Sequence, residues 1–365
     1  MRARFRKLAL CFFSITVLLI VGCSSDELEN EPMELESFDE EIEIIEVWDE
    51  SIGNGSDDQY LKLTPVIIDE FIYAIDHEGL LVALNKSDGE EVWDAEYDEP
   101  VSGALGGDFN QLYFATYHGD VIAVDRLDGS EKWRFTVTSE VLSAPVSNGR
   151  QVVVQSIDGK IVSLNAVDGK LMWRYDSNAP VLSIRGTASP VIGDDFTIAG
   201  FANGEMMAFQ NLSGAPVWSA SVGVPKGRTE LERLVDIDGQ PVIRDGVVYS
   251  VSYQGKLVAI HLPTGREIWS KQQSSYRAVD IGFGNVYVST AEDVVVAYNQ
   301  ATRTEVWKQE NLMYRQLTAP IAFGSTLVVA DFEGYVHFLS QIDGRFLERI
   351  QIDSDGVRAP MLIDG

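Results

Sequence analysis

The sequence has few residues that cross-link chains or carry covalent chemistry. Its 365 residues include only two cysteines, Cys11 and Cys23, and four histidines. Because both cysteines precede residue 24, the rest of the chain has no thiol for a disulfide, a nucleophile or a thiolate metal site. It also lacks a His-Glu-x-x-His, a Gly-x-Ser-x-Gly and a P-loop sequence, the signatures of zinc proteases, serine hydrolases and many nucleotide-binding enzymes.

Positive charge is also scarce. The chain has 28 Lys and Arg against 56 Asp and Glu, a formal net charge of −28. Nucleic-acid binding depends on Lys and Arg contacts to phosphates, so this balance argues against a nucleic-acid partner. It also disfavours lying tightly on anionic lipid, and it favours solubility.

The apolar run near the N-terminus is too short to span a bilayer. Leu8–Val21 has 14 residues, whereas a spanning helix needs about 20. Because basic residues precede this run, the pattern is typical of a secretory signal. Its end, Val21-Gly22-Cys23 followed by Ser24, resembles a bacterial lipobox.

The lipobox resemblance implies that residues 1–22 are removed as a signal peptide and that Cys23 is acylated, palmitate included. Ser24 rather than Asp after the cysteine implies sorting to the outer membrane, where the lipid would anchor the protein at the periplasmic face. Several acyl chains, at about 0.8 kcal/mol per buried methylene, would hold it stably. The alternative is an ordinary signal peptide with an incidental cysteine.

An acidic segment follows the lipobox. From Asp26 to Glu43, ten of eighteen residues are acidic and none is basic. Such a composition buries too little apolar surface to order itself. We therefore expect residues 23–43 to be a flexible, solvated tether that leads to a folded domain over residues 44–365; a binding tail is the alternative.

The remainder of the chain repeats one unit. Residues Asp158–Trp173 read turn, strand, turn, strand, with Asp-Gly pairs at both turns. Similar units start at Glu78, His118, Asp158, Asn203, Gln254, Glu292 and Glu333, which are 40, 40, 45, 51, 38 and 41 residues apart. A period near 40–45 residues with four short strands is typical of an all-β propeller with four-stranded antiparallel blades.

The count of units predicts eight blades. Seven units are followed by Arg358–Met361, which begins an eighth, and Trp48 stands alone before the first unit. Trp48 matches a fourth strand, so we expect an N-terminal strand to complete the last blade and close the ring. The second and third strands of that blade are missing, which indicates an incomplete last blade in a truncated sequence. A seven-bladed ring with distorted closure is the alternative.

The repeat resembles the tryptophan-docking repeat of PQQ-type propellers, as Ala123-Val124-Asp125 through Gly129 to Trp133 illustrates. Two groups use this repeat: the PQQ-dependent dehydrogenases, and the BamB family of lipoproteins in the BAM complex, which assembles outer-membrane β-barrels. The lipobox, the acidic segment, the short chain and the stretches 181–191, 233–242 and 312–321 resemble the BamB family.

Membership of the BamB family implies a scaffold with no enzymatic activity and no cofactor. It would dock on the POTRA domains of BamA and assist delivery and membrane insertion of nascent β-barrel precursors. The alternative is a periplasmic PQQ-dependent dehydrogenase, for which the sequence offers no calcium site with a catalytic aspartate.

The two longest intervals between units suggest a binding surface. Their extra residues follow Trp173 and Trp218, between the fourth strand of one blade and the first strand of the next. Equivalent connections lie on one face of a propeller, and insertions on one face often form its binding surface.

The family resemblance assigns partner-binding residues to these two loops. By motif they are Leu182, Ile184 and Arg185 in the first loop, and Asp236 and Asp238 in the second; Ile184 stands where leucine is expected, a near-isosteric change. The alternative is an internal pair of Arg185 with one of the aspartates. Calcium binding by the aspartates is disfavoured because Val247 occupies the twelfth position, where an EF-hand loop has glutamate.

Overall fold

The computed structural model of the chain describes residues 30–53, 61–180, 182–184 and 186–364. The predicted signal peptide, the predicted lipidation site Cys23 and the predicted partner-binding residue Arg185 lie outside the described residues. Within them, the regular elements are 28 strands and one turn of 3₁₀ helix, Leu231–Arg233.

The strands form seven sheets of four antiparallel strands, each in chain order. Blade one has β1 (Val66–Ile68), β2 (Phe71–Ile75), β3 (Leu80–Asn85) and β4 (Glu91–Glu96); blade two has β5 (Gly106–Gly107), β6 (Gln111–Ala115), β7 (Asp120–Asp125) and β8 (Glu131–Thr136); blade three has β9 (Val146–Ser147), β10 (Gln151–Gln155), β11 (Lys160–Asn165) and β12 (Leu171–Asp176). Blade four has β13 (Val191–Ile192), β14 (Phe196–Gly200), β15 (Glu205–Gln210) and β16 (Pro216–Ser221); blade five has β17 (Val242–Arg244), β18 (Val247–Val251), β19 (Lys256–His261) and β20 (Arg266–Gln272). Blade six has β21 (Asp280–Gly282), β22 (Asn285–Ser289), β23 (Val295–Asn299) and β24 (Glu305–Gln309); blade seven has β25 (Ile321–Phe323), β26 (Thr326–Ala330), β27 (Tyr335–Ser340) and β28 (Phe346–Gln351). The predicted all-β propeller with four-stranded blades is thus confirmed.

The repeated glycine and tryptophan join neighbouring blades. Trp133 of blade two donates its Nε1–H to the carbonyl of Ala166 in blade three, at 2.8 Å. Gly169 in the same turn has a φ of +67°, and a Cβ there would lie 2.7 Å from the Trp133 ring. Glycine adopts this backbone conformation without strain and leaves room for the close approach of the indole. The other indoles that donate in this way to the next blade are Trp173, Trp218 and Trp307.

The apolar core is divided among the blade interfaces. One buried cluster joins Tyr113 and Val121 of blade two to Val152 and Leu164 of blade three. Similar clusters lie between the other consecutive blades from one to seven, so each of these blades is stabilised by the blades next to it in the chain. This division explains how a chain of this length forms one domain.

Trp48 docks on blade one, but it does not lie in the strand that was expected to complete the last blade. Its Nε1–H donates to the carbonyl of Lys86 at 3.0 Å, and a Cβ on Gly89 would lie 2.7 Å from its ring. Neither Trp48 nor the stretch Arg358–Met361 belongs to a sheet. The described residues therefore form seven blades, where the sequence predicted eight with the last incomplete. An isolated strand without its second and third neighbours has no ladder to join, which explains the difference.

The described part of the acidic segment contacts the propeller, whereas the sequence predicted a solvated tether there. Residues 33–41, which we call the N-terminal strap, lie along the outer strand β28 of blade seven. The backbone amide of Glu41 donates to the carbonyl of Leu347 at 2.9 Å, and that of Met33 donates to the carbonyl of Met313 at 3.0 Å.

Candidate partner-binding surface

The two long connections, residues 177–190 and 222–241, lie on the same face of the propeller, which we call the loop face. Each leaves the outer strand of a blade and leads to the first strand of the next. The backbone amide of Ile184 in the first connection donates to Oδ2 of Asp236 in the second, at 2.5 Å. Gly186 packs against Asp238, since a Cβ there would lie 2.5 Å from its Cγ. The structure thus brings together the two predicted motifs.

Asp236 lies beneath the surface rather than on it. Its side chain is 0% exposed, and its neighbours Val235 and Ile237 are also buried. Ile237 belongs to the apolar cluster between blades four and five, with Ile198 and Val248. These three consecutive buried residues fix the second connection to the core, and the carboxylate of Asp236 then fixes the first connection. This arrangement resembles the internal pair considered from the sequence, with the Ile184 amide as the donor.

Leu182 and Ile184 present apolar surface on the loop face. Their exposed fractions are 40% and 37%, and they flank Ser183 in an extended segment. The second connection also carries exposed apolar side chains, Val224 and Leu231, which the family motifs did not identify. Their sequence signal is the presence of large apolar residues in a long, otherwise polar insertion. Exposed apolar side chains gathered on one face are typical of a binding surface.

The two aspartates have raised pKa values. Burial raises the pKa of Asp236 to about 6, although backbone N–H groups, that of Ile184 first, lower it. Burial first, and the carboxylate of Asp236 second, raise the pKa of Asp238 to about 7, although the ammonium group of Lys62 lowers it. Removal of a carboxylate from water favours its neutral form. Both carboxyl groups therefore take up a proton at a higher pH than an exposed aspartate does.

The first strands surround a central cavity of about 370 Å³, whose lining includes Asp238, Tyr276 and Arg277. Arg277 is committed to internal partners: it pairs with Asp293 at 2.6 Å and donates to the carbonyl of Thr290 at 2.8 Å. Among the residues that the structure describes, no three His, Cys, Asp or Glu side chains are placed to hold a metal ion.

Over residues 30–53, 61–180, 182–184 and 186–364, no helix has the length and hydrophobicity to cross a bilayer.

Comparison with known proteins identifies the family. A family model described as "Outer membrane protein assembly factor BamB" matches residues 77–309. A protein of that name from Pseudomonas aeruginosa is 50% identical to this chain and is aligned over 95% of this chain and 92% of its own length. The crystal structure of BamB from Moraxella catarrhalis is similar with a TM-score of 0.76 and 29% identity, over 80% of this chain and 88% of that one.

A quinohemoprotein alcohol dehydrogenase from Comamonas testosteroni has a TM-score of 0.66 at 12% identity, over 82% of this chain and 68% of that one. At that identity the likeness concerns the fold alone. The resemblance noted from the sequence repeats is confirmed by the family model and by the curated relative. The chain belongs to the family of outer membrane protein assembly factor BamB.

Proposed function

We propose that this protein is a non-enzymatic scaffold in the assembly of outer-membrane β-barrel proteins. Its relatives carry the name of an outer membrane protein assembly factor over nearly the whole length of the chain. The observation that carries the proposal is the bond between Ile184 and Asp236, because it joins the two long loops and presents Leu182 and Ile184 together. A scaffold requires a fixed surface of this kind and no reactive group.

The proposed partner is the POTRA region of BamA, and its proposed contact surface is Leu182, Ile184 and Arg185. An arginine among exposed apolar side chains has the composition of an interface hot spot. Because Asp236 is fully buried, we assign it a positioning role beneath this surface. Asp238, packed under Gly186, supports the same loop.

The proposed location is the periplasmic face of the outer membrane, with Cys23 as the acylated anchor. The basic residues before Leu8, the 14-residue apolar run and the Gly22-Cys23 junction support this assignment. Mass spectrometry of the mature protein tests it: an N-terminal peptide that begins with an acylated Cys23 is expected, and an unmodified Cys23 would contradict it.

We also propose that precursors contact the outer strands of the blades by strand addition. Each outer strand has one edge that pairs with no strand of its blade. The residue before the repeated tryptophan is apolar and exposed in five blades: Val92, Met172, Val217, Ile268 and Val306. Crosslinking that found BamA and no precursor at these positions would remove this part of the proposal.

Binding of the soluble propeller to a POTRA fragment of BamA tests the scaffold proposal. Arg185→Ala is expected to cost about 2 kcal/mol, which is roughly a 30-fold increase in Kd. The matched control is Leu212→Ala, since Leu212 is 84% exposed in the turn between β15 and β16, on the opposite face. No binding by the folded wild type would contradict the proposed partner, and equal losses in both variants would contradict the proposed surface.

A further inference from the structure

Blade seven differs from the other blades at its outer strand. Glu348 occupies the position that tryptophan holds in the other six units. Leu347, the residue before it, is only 6% exposed, whereas its apolar counterparts in blades one, three, four, five and six are exposed. The reason is that the N-terminal strap covers this strand.

Two arginines hold the backbone of the strap. Arg315 donates from Nη1 to the carbonyl of Met33 at 2.9 Å. Arg349 donates from Nη1 to the carbonyl of Glu36 at 3.0 Å. With the two backbone bonds described above, the strap is therefore held at both ends and in its middle.

Side chains fix the register of the strap. The ring of Phe38 stacks on that of Phe346 with centroids 5.2 Å apart. The guanidinium group of Arg349 lies 5.0 Å from the first ring and 5.1 Å from the second. Glu41 accepts two bonds from Arg345, at 2.7 and 2.8 Å. This planar, two-bond pairing is specific to arginine and carboxylate.

Arg315 and Arg349, which donate to the strap backbone, are held by a buried network of blade seven. Arg315 pairs with Asp331 at 2.7 Å, where both side chains are almost fully buried. Asp331 also contacts Nε2 of His337 at 2.9 Å, and Arg349 donates from Nε to Nδ1 of His337 at 3.1 Å. The binding groups are thus already oriented within the blade, which reduces the entropy lost on binding.

We propose that the N-terminal strap is a docking element that sets where the lipid-linked chain leaves the propeller and so holds the loop-face rim of blade seven at the membrane. The strap runs from Met313, in the connection between β24 and β25, to Arg345, in the turn before β28. The first of these positions lies on the loop face and the second on the opposite face. The chain towards the N-terminus therefore leaves the propeller on the loop face.

The distance to the membrane follows from the length of chain that remains. This step depends on the proposed lipidation of Cys23. A solvated tether up to residue 43 would reach roughly 70 Å when fully extended, whereas the ten residue steps from Cys23 to Met33 reach roughly 35 Å. A docked strap therefore shortens the reach by about half and restricts the orientation of the propeller.

Hydrogen exchange of the mature chain tests whether the strap is docked. We expect the amides of Met33 and Glu41, which donate to carbonyls of the propeller, to be protected in the wild type and to exchange at least tenfold faster in a Phe38→Ala, Arg345→Glu double variant. The control is Phe109→Ala, which removes an exposed phenylalanine stacked on Arg126 in blade two and leaves the strap protected. Exchange of the Met33 and Glu41 amides at the rate of a free peptide in the wild type would overturn the proposal.

Fluorescence quenching on vesicles tests the orientation. Full-length lipidated protein is bound to vesicles of phosphatidylethanolamine and phosphatidylglycerol that carry a headgroup spin label. A fluorophore is placed at Ile352→Cys, beyond the loop-face end of β28, or at Ile342→Cys, in the turn at its opposite end; both side chains are exposed.

We expect at least twofold stronger quenching at position 352 than at position 342, and a loss of this difference in the double strap variant. Equal quenching in the wild type would overturn the proposed orientation. Failure of the protein to float with the vesicles would instead refute the lipid anchor on which the orientation depends, while hydrogen exchange would still decide whether the strap is docked.

Discussion

At the scale of single residues, Asp236 shows how a buried polar group supports a surface. Its burial is unfavourable for a carboxylate, yet the side chain accepts the Ile184 amide and so fixes an exposed segment of the neighbouring loop. A buried hydrogen-bond acceptor contributes most when its removal leaves a donor without a partner. This bond holds Leu182 and Ile184 in place, so Asp236 acts on function through these two exposed side chains.

Substitutions of Asp236 separate its hydrogen bond from its charge. We expect Asp236→Asn to keep an acceptor for the Ile184 amide and to keep POTRA binding within about threefold of the wild type. Asp236→Ala leaves that amide without its acceptor, which costs about 1–3 kcal/mol of local stability, so the amide should exchange faster and binding should weaken. Hydrogen exchange and titration of the same variants measure both effects. Equal loss of binding in Asn and Ala variants would contradict a positioning role.

The raised pKa values of Asp236 and Asp238 predict a pH dependence of stability. Both values, about 6 and about 7, lie above the ordinary 3.8, so the folded chain binds more protons than the unfolded chain between these limits. The stability contributed by the protonated groups is therefore full below pH 4 and is lost as the pH rises towards 7.

Denaturant titrations at pH 5 and pH 8 measure this effect. Relative to an Asp236→Asn, Asp238→Asn double variant, the wild type is expected to lose about 4 kcal/mol of unfolding free energy between these pH values. The double variant corrects for all other titrating groups. An identical change in both proteins would show that the two carboxylates do not titrate as described.

At the scale of elements, the contact between a tryptophan and the turn of the next blade, which we call the joint, holds neighbouring blades together. The sequence spacing of glycine and tryptophan predicted the blade, because both residues repeat at fixed positions. The backbone conformation is retained even where glycine is replaced: Arg303 takes this turn position in blade six with a φ of +63°. The repeat is therefore preserved by packing and hydrogen bonds as well as by residue identity.

Substitution of Gly214 tests the joint. Its φ is +68°, and a Cβ there would lie 2.7 Å from the Trp173 ring, whereas Gly149 has a φ of +79° and nothing within 4 Å. Alanine at either site costs about 1–2 kcal/mol for the left-handed conformation. Gly214→Ala must also displace the indole, so we expect it to lower the unfolding free energy by about 1–3 kcal/mol more than Gly149→Ala. Equal losses in denaturant titrations would argue against a tight joint.

At the scale of the whole molecule, the repeat was predictable and the covering of blade seven was not. Periodicity specifies strands and blades, because each unit carries its own turns and apolar alternation. Acidic composition carries no information about a partner, so the strap was expected in solvent. Its signals were indirect: Glu348 in place of tryptophan, with Arg345 and Arg349 on either side in a chain poor in basic residues.

For the candidate site too, some features were predictable from the sequence and others were not. Insertion lengths placed both loops on one face, and the family motifs selected the residues that the structure brings together. The burial of Asp236 was not predictable, since a sequence does not show whether an aspartate in a loop faces solvent or the core. Here the surrounding Val235 and Ile237 decide it, because both are buried and Ile237 packs between blades four and five.

The most direct test of the proposed docking surface is photo-crosslinking in intact cell envelopes. The photoreactive residue is placed near blade four, on one face of the propeller or on the other. A photoreactive residue is placed at Leu182 on the loop face or at Leu212 on the opposite face. The account predicts an adduct with BamA from position 182 and none from position 212. An adduct from position 212 alone, or no adduct from position 182 in a protein that co-purifies with BamA, would contradict the proposed docking surface.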